Sequence, residues 1–440
     1  VVITNHAMLG VVASGNPGAL PDHDVLIIDE AHELPSRVTN QATQDLSFSA
    51  VMRVARAVRR NAGVATTSLD DAGEALREAL TQAATGRVQG RMPQELEAAV
   101  GDIHEAARAL VAVIRAEVKE AATSLMLTTE LNELVDVTDR FLGDNLRDGD
   151  DVAWVEKPVQ AGNQPRLVIA PLDVAGPINQ NLLTDRAVVA TSATLALGNR
   201  FEPLARDMGF FADYTTHQVE SPFQYGKQGI LYTPKDLSPP GRDGIQGDVL
   251  EELSKLIDAA GGRTLGLFSS RRAAIEAAEH VREHSHHRVL VQGEDGLPAL
   301  VAAFIEDETS CLFGTLSLWQ GVDVPGRACS LVVIDRIPFP RPDDPLVSAR
   351  VEATQRSGGN GFMAVSATHA ALLLAQGAGR LIRGVEDKGV VAILDSRVVN
   401  RRYGGFLRSS LPKFWNTFDG EVVHSALSRL TQEQASLDTA

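Results

Sequence analysis

The segment that most constrains this chain is Val25-Leu26-Ile27-Ile28-Asp29-Glu30-Ala31-His32. Four successive apolar residues without alternation describe a strand covered on both faces, as strands of a parallel sheet are. Such a strand delivers its last residues to the carboxyl edge, where open α/β sheets bind nucleotides. Here it delivers two adjacent acids. One can hold Mg2+, and its neighbour can orient or deprotonate an attacking water. An acidic helix start is the plainer alternative, so the pair needs partners elsewhere in the chain.

The texture around this strand sets out the domain organisation. Val1–Ile3 reads as a strand already in progress, and with no initiator Met the chain is expected to open inside a domain. From Leu34 to Asp151 the pattern changes to Ala, Leu, Glu and Arg at helical spacing, as in Val51, Val54, Ala55, Val58 and in Leu110, Val113, Ile114, Val118. This is expected to be a helical domain inserted into the first. Strand texture resumes at Leu167–Ala170 and Ala187–Ala190, completing the interrupted domain. Beyond Ser221-Pro222, strands at Thr264–Phe268, Arg288–Val291, Cys311–Gly314, Ser330–Ile334 and Val390–Leu394 alternate with helices such as Arg271–His284. That alternation predicts a parallel sheet with helices on both faces. The expected division is 1–33 and 152–220 for the first domain, 34–151 for the insertion, 221–425 for the second domain, and 426–440 for a polar tail.

Three further motifs carry chemistry. Val189-Ala190 runs into Thr191-Ser192-Ala193-Thr194, whose hydroxyls can bond to the acidic box or simply cap a helix. Gln376-Gly377-Ala378-Gly379-Arg380-Leu381-Ile382-Arg383 follows an apolar helix. Its spacing of three predicts Arg380 and Arg383 on one helical face, the arginine-finger answer to charge on a transferring phosphoryl group. Phe313 to Gly326 is a strand end followed by hydroxyls, Trp319, Gly321 and Asp323. Trp319 can stack on a nucleobase or pack beneath the loop, and Asp323 can bind or merely cap a turn.

In this order the motifs resemble the superfamily 2 helicases of the XPD/DinG type, from Val1 to about Trp415. Asn5-His6 resembles the segment ahead of that family's motif II, Asp29-Glu30-Ala31-His32 the DEAH box, and Thr191–Leu195 motif III. Leu267–Arg272 resembles motif IV, Phe313–Gly326 motif V, and Gln376–Arg383 motif VI; Ser221-Pro222-Phe223 and Asp335–Pro340 are similar to its linking segments. The resemblance implies two RecA-like P-loop NTPase lobes of α/β fold that clamp ATP between them. It also implies an α-helical Arch-like insertion in the first lobe.

On that resemblance Asp29 coordinates Mg2+, Glu30 activates water, and His32, Ser192 and Thr194 couple nucleotide to DNA, with Gly321 and Asp323 in the coupling group. Gln376, Arg380 and Arg383 close on the γ-phosphate, while Ser269, Ser270, Thr315 and Trp319 contact DNA. The implied activity is ATP-dependent translocation on single-stranded or forked DNA, 5′ to 3′, in repair or replication. The implied agent is a cytoplasmic monomer with no membrane partner. An RNA helicase, a nucleoprotein-remodelling ATPase and a non-catalytic nucleic-acid-binding remnant are the alternatives. No Gly-x-x-x-x-Gly-Lys-Ser/Thr occurs, since Gly226-Lys227 is followed by Gln228. That loop, and the four cysteines of any 4Fe-4S cluster, are expected upstream, which leaves this chain inactive alone. Gln320 stands where many relatives carry an acid.

Composition tests this reading. The 440 residues carry 41 Lys+Arg against 57 Asp+Glu, a formal charge of −16, and only two cysteines, Cys311 and Cys329. Bulk positive charge therefore cannot hold the chain on nucleic acid. The excess is uneven. Leu34–Asp151 has 13 basic and 19 acidic residues, whereas Arg380–Lys413 has eight basic and three acidic. A locally positive second domain can face phosphates inside an acidic chain.

Overall fold

A computed structural model describes residues 1–157, 164–198, 200–211, 213–241, 244–315, 318 and 326–438. The fold is mixed α/β with parallel sheets, divided into two compact units. The first comprises 1–195, 202–214 and 341–361, and the second 196–201, 215–340 and 362–440.

In the first unit, strand β1 (Val25–Ile28) pairs in parallel with β6 (Ala187–Ala190), with Val25 opposite Ala187 and Ile28 opposite Ala190. Helix α1 (His6–Ala13) precedes β1, and α2 (Leu34–Ala42) follows its acidic end. Val1–Ile3 forms no strand among the described residues, contrary to its texture; Val1 and Ile3 lie exposed without a pairing neighbour.

Between the two strands lie long helices α3 (Phe48–Ala62), α4 (Thr67–Gln82), α5 (Gln94–Glu117) and α6 (Ala121–Leu142). Ser47 starts α3 by accepting from Ala50 N, and Gly63 ends it in the left-handed conformation, φ 67°. The predicted stripe Val51, Val54, Ala55, Val58 is buried. It joins Leu76, Leu96, Ile103, Leu131 and Phe141 in one core.

That core also takes in a sheet the sequence reading did not foresee. Strands β2 (Gln44–Ser47), β5 (Arg166–Pro171), β4 (Asp151–Glu156) and β3 (Gly86–Arg87) form an antiparallel sheet in that order. The run Leu167–Ala170 is thus a strand, as expected, but it lies in this sheet rather than beside β1. The reason is double burial. Leu167 and Ile169 face the helical core, while α2 and the helix Pro345–Arg356 pack on the same sheet. A strand covered on both faces looks the same in either sheet type.

The second unit is built on a parallel sheet whose described strands run in the order β13-β7-β12-β11-β8-β10-β9. These are β7 (Gly229–Tyr232), β8 (Thr264–Leu267), β9 (Val289–Val291), β10 (Cys311–Gly314), β11 (Leu331–Ile334), β12 (Gly389–Ile393) and β13 (Trp415–Thr417). The five strands anticipated from sequence are all present within a residue or so, and the helix Arg271–His284 has the expected bounds. Its buried stripe of Ala273, Ala274, Ala277, Ala278 and Val281 packs with Phe268, Val291 and Phe313.

The chain enters β8 through Gly261-Gly262, and Gly262 has φ +82°. A Cβ there would fall 1.7 Å from Thr309 O. Gly262→Ala should therefore lower stability by about 1–3 kcal/mol or more. Gly247→Ala, at a helix start with open space around it, should shift thermal unfolding by no more than about 0.5 kcal/mol. Equal melting temperatures for the two variants would contradict this account.

Candidate active site

Parallel pairing of β1 with β6 brings the ends of both strands together. The ladder continues past the strands, with Thr191 N donating to Ile28 O at 2.8 Å and Ala31 N to Thr191 O at 2.9 Å. Glu30 then takes a left-handed conformation, φ 46° and ψ 43°, uncommon for a residue with a Cβ. This turn separates the two acids and starts the short helical turn Ala31–Glu33.

Each acid is held differently. Asp29 Oδ1 accepts from Thr191 Oγ1 (2.9 Å) and from Glu30 N (3.0 Å). Its backbone carbonyl accepts from His6 Nε2 (2.8 Å) on α1, where Asn5 caps the helix by accepting from Met8 N. Glu30 is more than half exposed, and its Oε2 accepts from Ser192 Oγ at 3.0 Å. His32 is almost fully buried, with Nδ1 2.7 Å from Ser192 Oγ and 3.3 Å from Glu30 Oε2. Because the Ser192 proton goes to Glu30, Ser192 accepts from His32, which places a proton on Nδ1. Ser192 also accepts from Thr194 N (3.1 Å) and lies 3.3 Å from Thr194 Oγ1. Burial holds His32 below the usual histidine pKa despite the opposing charges of Glu30 and Glu33. The result is a chain from a neutral imidazole through a serine to an exposed carboxylate.

Of the residues anticipated in this unit, Asp29, Glu30, His32, Ser192 and Thr194 come together. Thr191 bonds to Asp29, as expected of the strand-end hydroxyls, and His6 joins them without having been assigned a role. Thr191 directly follows β6, and Asn5 is a helix cap ahead of His6, which are the local signals that point to them.

In the second unit the anticipated residues lie at the carboxyl ends of strands. Ser269, after β8, donates its hydroxyl to Asp335 Oδ2 (2.9 Å) and its N–H to Asp335 Oδ1 (2.8 Å). Ser270 caps the following helix by accepting from Ala273 N at 3.1 Å, which leaves its own proton without an acceptor among the described residues. Thr315, after β10, donates both N–H (2.7 Å) and hydroxyl (3.0 Å) to Gln292 Oε1. Asp335 and Gln292 thus set these hydroxyls, a role no local pattern announced. Trp319, Gly321 and Asp323, with Gln320, lie outside the described residues.

Gln376 sits on the helix Thr368–Ala378, but the expected helical face for Arg380 and Arg383 is not formed. The helix stops at Ala378, where Gly377, its penultimate residue, and Gly379, its cap, weaken helix propensity. Both arginines follow in a loop. Buried Leu381 and Ile382 anchor it, Arg383 N and Gly384 N donate to Asp387 Oδ2 (2.7 and 2.6 Å), and Gln228 Nε2 reaches the carbonyls of Gly384, Val385 and Asp387. Arg383 is displayed from a pinned loop, not from a helix. Cys311 and Cys329 are buried free thiols, each pushed up to about 12 by burial. Neither is a reactive or ligating group.

An acidic box on one parallel strand, tied through a serine to its neighbour, together with a second parallel sheet, defines a chain of the helicase class. Residues 253–414 match the family model described as a helicase C-terminal domain. The ATP-dependent helicase DinG of Mycobacterium tuberculosis (strain ATCC 25177 / H37Ra) is 45% identical over 447 residues, 99% of this chain and 67% of that protein. The ATP-dependent DNA helicase YoaA of Haemophilus influenzae is 32% identical over 436 residues, 95% of this chain and 67% of that protein. Among solved structures, S. tokodaii Xpd4 shares the fold with a TM-score of 0.56 at 17% identity, covering 89% of this chain and 75% of that one. The chain belongs to the DinG/XPD family of superfamily 2 ATP-dependent helicases, and it spans about two thirds of the length of the curated relatives it matches.

Burial pushes the Asp335 carboxyl up to about 6, against the lowering influence of Arg336 and Ser269. Because the folded pKa lies above the ordinary 3.8, its contribution is fully present below pH about 4 and is lost as pH rises through about 6. Asp335→Asn removes the ionisation, so its stability relative to the unaltered protein should rise between pH 4 and 7 by up to about 3 kcal/mol. Urea unfolding at several pH values measures this; a flat difference would mean that the carboxyl titrates normally.

Proposed function

We propose that this chain forms most of the motor of an ATP-dependent DNA helicase that translocates on single-stranded or forked DNA, 5′ to 3′, in repair or replication. The observation that carries the reading is the His32–Ser192–Glu30 chain beside Asp29. It holds an exposed carboxylate ready to orient and deprotonate water, and it links that carboxylate to the strand end that carries motif III. A helicase needs such a link, because hydrolysis must be felt elsewhere in the protein.

The first unit's parallel pair is proposed as part of a RecA-like lobe interrupted by an Arch-like insertion; the expected boundary at 151/152 moves to about residue 171, because β4 and β5 pack in the core of the helices and not beside β1. Val25, Ile27 and Val189 lie exposed on β1 and β6, whereas parallel sheets are ordinarily covered on both faces. This supports a covering layer over that face, which the described residues do not supply. The second lobe, 221–425, is proposed to act as a RecA-like partner ahead of a tail at 426–440. No described helix is long and apolar enough to cross a membrane. A cytoplasmic monomer fits the proposal.

The residues fit Mg2+. Asp29 Oδ1 is occupied by Thr191 and Glu30, while no hydrogen bond engages its other oxygen among the described residues, as a hard cation requires. Bound there, Mg2+ would neutralise phosphate charge. Glu30 would serve as base, and Gln376, Arg380 and Arg383 would contribute hydrogen bonds and positive charge to the γ-phosphate. Gly321, Asp323, Ser192 and Thr194 are proposed in coupling, with Ser270, Ser269, Thr315 and Trp319 toward DNA. Among the hydroxyls Ser270 is the best placed, because its proton is unspent.

In the full-length protein, Glu30→Gln should lower DNA-stimulated ATP hydrolysis at least about 100-fold while leaving ATP binding intact. Arg383→Ala should lower turnover by about 1,000-fold or more. Near-normal rates in either would overturn that residue's role. Stimulation by RNA and not by single-stranded DNA would overturn the substrate. Binding to single-stranded DNA should weaken steeply between about 50 and 200 mM salt, and affinity independent of salt would exclude phosphate tracking.

A further inference from the structure

The helix Arg271–His284 ends on His280-Val281-Arg282-Glu283-His284, which the ATP-directed reading leaves unused. Residues four apart share a helix face. Two histidines so spaced with a glutamate before the second have the H-x-x-E-H pattern of one class of zinc-binding helix. Here the spacing is realised in space: the ring centroids are 4.2 Å apart and the planes 21° from parallel. The intervening residues point elsewhere. Val281 is buried in the core, and Arg282 is spent on Val289 O and the Glu294 carboxylate.

Hydrogen bonding fixes the chemistry of one ring. His284 Nδ1 lies 2.8 Å from the His280 carbonyl oxygen. A carbonyl only accepts, so Nδ1 carries the proton and Nε2 the lone pair. Metal-binding imidazoles are held in this way, with one nitrogen donating to a carbonyl or carboxylate and the other on the metal. The His280 ring makes no hydrogen bond among the described residues, and the charges of Glu283 and of Glu251, on the helix Gly247–Ala260, bear on it. Two imidazole lone pairs four residues apart on one helix face suit a divalent cation.

We propose that His280 and His284 form a two-histidine site for a borderline divalent cation of the Zn2+ class. Bonds of about 2.0–2.1 Å to each nitrogen set the two nitrogens about 3 Å apart. The rings stand 21° from parallel, so cation binding would turn them for the two lone pairs to converge. Among the described residues no third His, Cys, Asp or Glu joins them in a group that could hold a metal ion, so water would complete the coordination. The site clips the last turn of a helix whose first turn is capped by Ser270. It is independent of the ATP-directed reading.

Titration of the metal-free full-length protein with Zn2+ against a chromophoric chelator tests the site. Loss of an outer partner alone costs about 10–100-fold in affinity, and loss of a ligand should cost no less. His280→Asn and His284→Asn should therefore each remove one Zn2+ per chain from the titration, and His287→Asn should remove none. Matching circular dichroism spectra of the metal-free proteins show that any loss is not unfolding. Equal stoichiometry and affinity in both single variants and the unaltered protein, or no Zn2+ bound by the unaltered protein, would overturn the proposal.

Discussion

The parallel pairing of Val25–Ile28 with Ala187–Ala190 is the contact on which the candidate active site depends. Everything chemical in the first unit hangs from two adjoining strand ends, and the hydrogen bond from His32 to Ser192 joins residues 160 positions apart. Loop-closure entropy grows only logarithmically, at about 0.6 kcal/mol per doubling of length. A long insertion therefore costs the site little, provided it folds on its own. The helices α3–α6 and the antiparallel sheet share one core that supports such folding. Stability of the insertion and alignment of the site are thus separable problems, and the chain solves them with separate residues.

The second unit uses the same geometry with a different kind of anchor. Its functional candidates follow β8, β10 and the helix Thr368–Ala378, and each is fixed by a side chain distant in sequence. Asp335 holds Ser269, Gln292 holds Thr315, and Gln228 braces the loop that carries Arg383. Two buried carboxylates are accepted at this edge. Asp395 is offset by Arg397 and by Ile337 N, whereas Asp335 has only Arg336 at 3.3 Å and Ser269. An unevenly compensated buried acid costs stability. Its persistence beside Ser269 is intelligible if the position of that backbone matters more than the loss.

Much of this was legible from residue order alone. Apolar runs ending in acids, hydroxyls or glycine mark the strands of the second unit, and the strand-end positions of Asp29, Glu30, His32, Ser192 and Thr194 mark them as a group that hydrogen bonds then join. What escaped was relational. Leu167–Ala170 was readable as a strand, but its partners were not, because covering a strand on both faces erases the alternation that separates antiparallel from parallel sheets. Arg380 and Arg383 have helical spacing, yet Gly377 and Gly379 end the helix before either is reached. Asp335 and Gln292 act across 66 and 23 positions, beyond the reach of any local pattern.

Charge shows why sums mislead where positions inform. The net −16 argues against a protein held on nucleic acid, but the relevant quantity is how many cations remain unspent on one surface. In the basic stretch from Arg380 to Lys413, Arg397 is consumed by Asp395, and Arg408 is directed to Val398 O. Lys388, Arg401, Arg402 and Lys413 are exposed and have no carboxylate partner among the described residues. In the insertion, surface pairs such as Arg77–Glu74 and Arg91–Glu97 use up basic residues, and the acidic excess is the carboxylates left over. The exposed cations of the second unit that have no carboxylate partner among the described residues are therefore the ones on which the proposed contact with phosphate depends.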